Sequence, residues 1–149
     1  MVDSARERMN IGRKVLAEAP KLIERVDTFH AWMIAAAQEV QAKLITPVVE
    51  GGRVAALQTQ VGRFEVAEEI VRVEAELMVR IVFFRAPTAL RRDPQEVYAV
   101  RVLSDGTAHF GAGPDPDHFD LGDWQDSWLP RNMIRLAYEL AAGCTIPRS

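Results

Sequence analysis

The chain has 149 residues, 48% hydrophobic and 26% charged, with a formal net charge of −3. A chain of this length suits one domain that buries roughly two-thirds of the surface exposed by its unfolded state. The composition excludes disorder through low hydrophobicity or one-sided charge, and the acidic balance argues against a general electrostatic grip on nucleic acid or anionic lipid.

In chain order, the first element is helical. The stretch "SARE" at Ser4 to Glu7 fits a capping box, with the Ser4 hydroxyl accepting from the Glu7 amide and the Glu7 carboxylate reaching back. Helix is expected over about 4–44, kinked or broken at Pro20, which lacks an amide donor and crowds the preceding turn. Leu22, Val26, Phe29, Met33, Ala36 and Val40 recur at alternating spacings of four and three, one apolar stripe along a helix. Ala5, Met9, Gly12, Leu16 and Ala19 repeat that spacing before the proline. The first expectation for both stripes is the domain's own sheet, and the sharper one is a helical seam against a second copy.

Pro47 and "EGG" (Glu50 to Gly52) end the helical part, and an antiparallel sheet of four or five strands is expected over about 53–112. Arg53 to Gln60 and Arg63 to Glu68 are weaker strand candidates about Gly62. From Val71 to Phe83 every odd position is apolar, which predicts one long strand with its odd side buried and a bend within it. A helix over Phe64 to Glu76 is the alternative, and it scatters that odd set around a cylinder. "YAVRVLSDGTAHFG" (Tyr98 to Gly111) reads as a hairpin about Asp105-Gly106, with Val102 facing His109 and Arg101 facing Phe110. An acidic loop follows over 113–126. A last helix, about 128–142, takes Ser127 as cap, Leu129, Met133, Leu136, Ala137 and Leu140 as its stripe, and Gly143 as its stop. The order predicts an α+β fold, a two-layer sandwich forming one domain.

The acidic loop carries the strongest chemical suggestion. "GPDPDHFDLGDW" gathers Asp115, Asp117, Asp120 and Asp123 around His118. An EF-hand register starting at Asp115 fails, because Phe119 stands at the fifth position and Asp120 replaces the glycine. A transition metal needs more imidazole or thiolate than His118 supplies locally. Asp27 and His30 form one carboxylate-x-x-His pair, where a di-metal bundle needs two. The sequence therefore predicts no metal and no cofactor. Asp115 and Asp117 read as turn formers around Pro116, and Asp123 or Asp126 as a favourable charge at the last helix's N-terminus.

No phosphate-binding loop, dinucleotide fingerprint or nucleophile elbow is present. A site assembled from distant residues, such as His30, His109 and an aspartate, stays open. Cys144 is the only cysteine. It follows a helix C-terminus, where the dipole disfavours a thiolate. A single cysteine excludes an internal disulfide and a cysteine-rich zinc site, and with no leader recognised it points to a reducing cytoplasm. The bias of fifteen arginines over three lysines suggests a GC-rich bacterial genome. No apolar run approaches the roughly eighteen residues a membrane span needs.

Between Ser104 and Pro130 lie six aspartates and no Lys or Arg, so the rest of the chain carries +3. Such segregation suits docking to a basic surface. Asp115, Asp117, His118, Asp120, Asp123, Trp124 and Trp128 are the expected partner-binding residues, with Arg85, Arg91 and Arg92 as internal or intersubunit mates of the loop. The layout loosely resembles that of secretion-type chaperones and small inhibitor or immunity proteins, although layout alone does not assign function. The expectation is a non-catalytic, homodimeric protein-binding module of a bacterial cytoplasm, of chaperone, adaptor or inhibitor type. Its partner is a basic protein surface or a second copy, with no nucleic acid and no membrane. The alternative is a small enzyme or ligand-binding domain with a pocket between sheet and helices.

Overall fold

The computed structural model describes residues 4–74, 76–111, 117–123 and 129–144. Helix α1 spans Ser4–Ala37 and runs through Pro20 as one 34-residue element, so the expected break does not occur. Its last described turn ends seven residues short of position 44, in turns over residues 38–44. Leu22, Val26, Phe29, His30, Trp32, Met33, Ala36 and Ala37 are buried. The N-terminal half is mostly uncovered: every residue from Ser4 to Ile11 is exposed, and Met9 and Leu16 are 68% and 76% exposed, while Val15 is partly buried against the core. The expectation that both stripes lie on the sheet is corrected here. At 100° per residue, the early stripe continues to Ile23, about 90° around the cylinder from the stripe of Leu22, Val26, Phe29 and Met33. Val15 is in phase with the buried stripe and reaches the core, whereas Met9 and Leu16 do not.

The sheet has seven strands in sequence order, all antiparallel: β1 Thr46–Glu50, β2 Arg53–Thr59, β3 Gly62–Val73, β4 Glu76–Arg85, β5 Gln95–Leu103, β6 Thr107–Phe110 and β7 His118–Asp120. Seven replaces the expected four or five. Pro47, read as an ending, lies inside β1, which pairs only with β2; a proline is tolerated there because an edge strand need not donate on both sides. "EGG" becomes the β1–β2 turn, with Gly51 and Gly52 at φ 59° and 79°. β7 and a 3-10 turn, Leu121–Asp123, occupy part of the expected acidic loop.

The supposed strand from Val71 to Phe83 is a hairpin. β3 pairs with β4 from Glu65↔Phe84 to Val73↔Glu76, and Glu74 makes the turn at φ 58°. Odd residues of β3 pair with even residues of β4, so Val71 and Val73 lie on the opposite side from Leu77, Val79, Ile81 and Phe83. The β4 half of the expectation holds, with those four buried, while Val73 is exposed. Residues 64–73 are strand rather than helix.

The β5–β6 hairpin is also one residue off the expected register. Val100 pairs with Phe110, Arg101 with His109 and Val102 with Ala108. The loop holds three residues, with Gly106 at φ 90° donating to the Leu103 carbonyl at 3.0 Å. A one-residue slip exchanges faces, so His109 stands beside Arg101 instead of Val102.

The sheet curls around the C-terminal half of α1. Phe29, Trp32 and Met33 meet Leu57, Phe64, Ile81, Phe83, Val100, Val102 and Phe110 in one core. α2, Leu129–Gly143, closes it with Met133, Leu136, Ala137 and Leu140. The Leu129 side chain and Ser127 lie outside the described residues. A Cβ on Gly143 would lie 2.6 Å from Val97 Cγ1 and 2.7 Å from the Val97 carbonyl oxygen, so only glycine lets α2 approach β5 this closely. Gly12, by contrast, has nothing within 4 Å. A glycine inside a helix costs about 1 kcal/mol relative to alanine, and no close contact within the described chain offsets it.

Candidate functional site

Two clusters gather the chemistry-bearing side chains. The first fastens α1 to the sheet. His30 is 2% exposed. Its Nδ1 accepts from the Val54 amide at 3.0 Å, which leaves the proton on Nε2, where it is donated to Glu68. Arg53 on β2 bridges the cluster, contacting Glu68 at 3.3 Å and Asp27 at 2.5 Å. The His30 hydrogen bond, together with the nearby Arg53 guanidinium, holds the Glu68 carboxyl below its ordinary range. Asp27 and His30 thus turn to different partners. With both ring nitrogens of His30 occupied by protein, this cluster serves to lock α1 in place.

The second lies at the β5–β6–β7 end, on the face of the sheet away from the core. His109 and His118 are opposite each other on β6 and β7, and their rings stack at 4.9 Å and 19°. The Thr107 hydroxyl donates to Asp105 at 2.6 Å and contacts His109 Nε2 at 2.8 Å. That hydroxyl has one hydrogen, so His109 Nε2 carries its own and Nδ1 keeps a lone pair. Burial first, then His118 and Arg101, push His109 below the ordinary histidine range, so it is neutral near pH 7. The Thr107 hydrogen bond lowers the Asp105 carboxyl. Among the described residues no three His, Cys, Asp or Glu side chains converge on a metal position. The pair can stack on a ring or take one proton at His109 Nδ1.

The sequence-expected partner-binding residues fall around this end. Asp117 forms an ion pair with Arg135 of α2, and Arg135 lies over the Phe110 ring, 4.8 Å from its centre. Asp120 accepts from the Gly122 amide at 2.8 Å. His118, Asp120 and Asp123 are exposed. Asp115, Trp124 and Trp128 lie outside the described residues. Within the single chain, two of the expected mates, Arg85 and Arg91, turn to other groups than the acidic loop. Arg85 donates to the Val61 carbonyl at 2.6 Å and to Cys144 Sγ at 3.2 Å. Arg91 donates to the Asp93 and Ala86 carbonyls and to the Gln95 side chain at the start of β5, all within five residues of itself. Arg53, Glu68, Thr107, Arg101 and Arg135 were missed because sheet register and helix docking, not local spacing, bring them to their partners.

An open depression of about 460 Å³ runs along α2, lined by Arg131, Ile134, Arg135, Tyr138, Glu139 and Ala142. No described helix is long and apolar enough to cross a membrane. Compared with protein-family models, curated proteins and solved structures, the chain matches none.

Proposed function

We propose that this chain is a non-catalytic protein-binding module, of chaperone, adaptor or inhibitor type, that works as a homodimer. One observation carries the reading: the first part of α1, residues 4–23, forms a helical arm that touches the core at Val15 but leaves Met9, Leu16 and Ile23 68%, 76% and 51% exposed. An isolated helix of about this length is marginal in water, so an arm with an apolar stripe gains most of its order from a surface laid against it. The acidic end, with Asp117, His118, Asp120 and Asp123, is the second contact surface and suits a basic protein partner.

The test is the double substitution Met9→Glu with Leu16→Glu. Melting of dilute protein is expected to stay within a few degrees of wild type while association, followed by sedimentation and by mass spectrometry of co-purifying proteins, is lost. A fall of ~10 °C would instead mean that the arm packs on its own body, and the reading would fail.

A second reading has one observation in its favour, the Asp105–Thr107–His109 chain ending in a neutral imidazole stacked on His118. An oriented neutral imidazole can act as a general base or hold a flat ligand. Titrating His118 and His109 ring resonances against candidate small molecules tests it, since a ligand at this pair shifts both.

A further inference from the structure

The arm's sequence says which partner fits it. Ala5, Gly12 and Ala19 recur every seven residues, and Met9, Leu16 and Ile23 recur every seven residues on the same stripe. One column is therefore small and the adjacent column large. We infer that the surface covering this stripe is the same stripe of a second copy, running antiparallel, with Gly12 of one chain against Leu16 of the other. This rests on the reading of the arm as a contact surface and names what it contacts.

In an antiparallel helix pair the two columns face each other across every layer. Ala5 then meets Ile23, Met9 meets Ala19, and Gly12 meets Leu16, so each layer sets one small residue against one large one. Backbones can approach evenly along the whole arm. A parallel pair would stack large on large and small on small, leaving the separation uneven. The pairing also accounts for Gly12, which has nothing within 4 Å in the single chain. Its missing side chain makes the room that Leu16 of the partner fills.

Charge does not choose between the orientations: a parallel pair sets Arg8 beside Arg13 of the second copy, and the antiparallel pair sets Arg13 near Arg13 of the second copy at the two-fold axis, so the matching of small to large columns carries the choice. A pair of arms buries less than the roughly 800 Å² per partner of a standard interface, so a micromolar dissociation constant is expected.

Cross-linking reads the geometry directly. In a Cys144→Ser background, an Ala5→Cys chain mixed with an Ile23→Cys chain should form the mixed disulfide. A parallel dimer would give only the two homodisulfides, because positions 5 and 23 lie about 27 Å apart along the helix. Exclusive homodisulfides overturn the inference. Gly12→Leu should raise the dimer dissociation constant at least tenfold by sedimentation, with no loss of melting temperature in dilute protein; an unchanged constant also overturns it. A chain that stays monomeric at ~100 µM, yet loses a foreign partner on Met9→Glu with Leu16→Glu, sinks the second-copy inference and leaves the protein-binding reading standing. Loss of neither self-association nor foreign binding on that double substitution sinks both.

Discussion

The two halves of α1 carry apolar residues at the same spacing and meet opposite fates. Leu22, Val26, Phe29 and Met33 are each no more than 2% exposed, while Met9 and Leu16 are mostly exposed. Between Ser4 and Lys21 there are five basic and two acidic side chains, hence +3, whereas the buried half is anchored by His30, Glu68, Arg53 and Asp27. The difference teaches that an amphipathic period establishes that a helix has an apolar side. It does not say what that side covers. The phase of the stripe does: a shift of about a quarter turn between the halves aims one into the curled sheet and the other away from it.

The largest expected effect comes from emptying the buried half. Phe29→Ala should cost about 3–5 kcal/mol in denaturant unfolding, from lost burial and the cavity left behind. Leu16→Ala, seen in dilute protein, should stay within about 0.5 kcal/mol. Equal costs would erase the contrast between the halves.

A pair of glycines sharpens it. Gly143→Ala is expected to destabilise by about 1–3 kcal/mol, because the new Cβ would press on the Val97 carbonyl, which is backbone and yields little. Gly12→Ala should act with the opposite sign in dilute protein, adding up to about 1 kcal/mol of helix stability. A loss at Gly12 under those conditions would place a contact there within the single chain.

The smallest effect concerns the anchor of the buried half. The folded Glu68 carboxyl lies below its ordinary value of 4.5, so its charged form favours the fold. That stability is fully present above pH 4.5 and is lost as pH falls through the lowered folded value. Glu68→Gln keeps an acceptor for His30 and should cost about 1 kcal/mol at pH 7. The gap to wild type should close on acidification below pH 4.5, measured by melting temperature. A gap that holds at pH 3 would show that the carboxylate charge has no part in the anchor.

How much could be read from residues alone varied with the strength of local punctuation. The 53–60 and 63–68 strands, the Asp-Gly hairpin and the last helix were all legible, because glycine turns and a 3.6 period mark them. The β3–β4 turn was not, since Val73-Glu74 offers no Gly, Asn, Asp or Pro, and Glu74 takes a left-handed conformation unfavourable for its side chain. An odd-numbered apolar run across that turn therefore imitated one long strand. β7 is three residues long among aspartates, too short to show alternation. At the acidic end, the residues named from sequence include Asp117 and His118, but their partners Arg135 and His109 come from other elements.

By itself, the sequence determined the α+β order, the apolar stripes, the turn glycines and the segregation of acid from base, because these depend on periods and spacings within one element. Only the tertiary structure decided which side of each strand meets the core, which carboxylate His30 holds and where the first stripe of α1 points. Those depend on register between strands and on the phase of a helix against a curled sheet. A shift of one residue reverses a strand's faces and turns a helix by 100°, and no local preference distinguishes the alternatives.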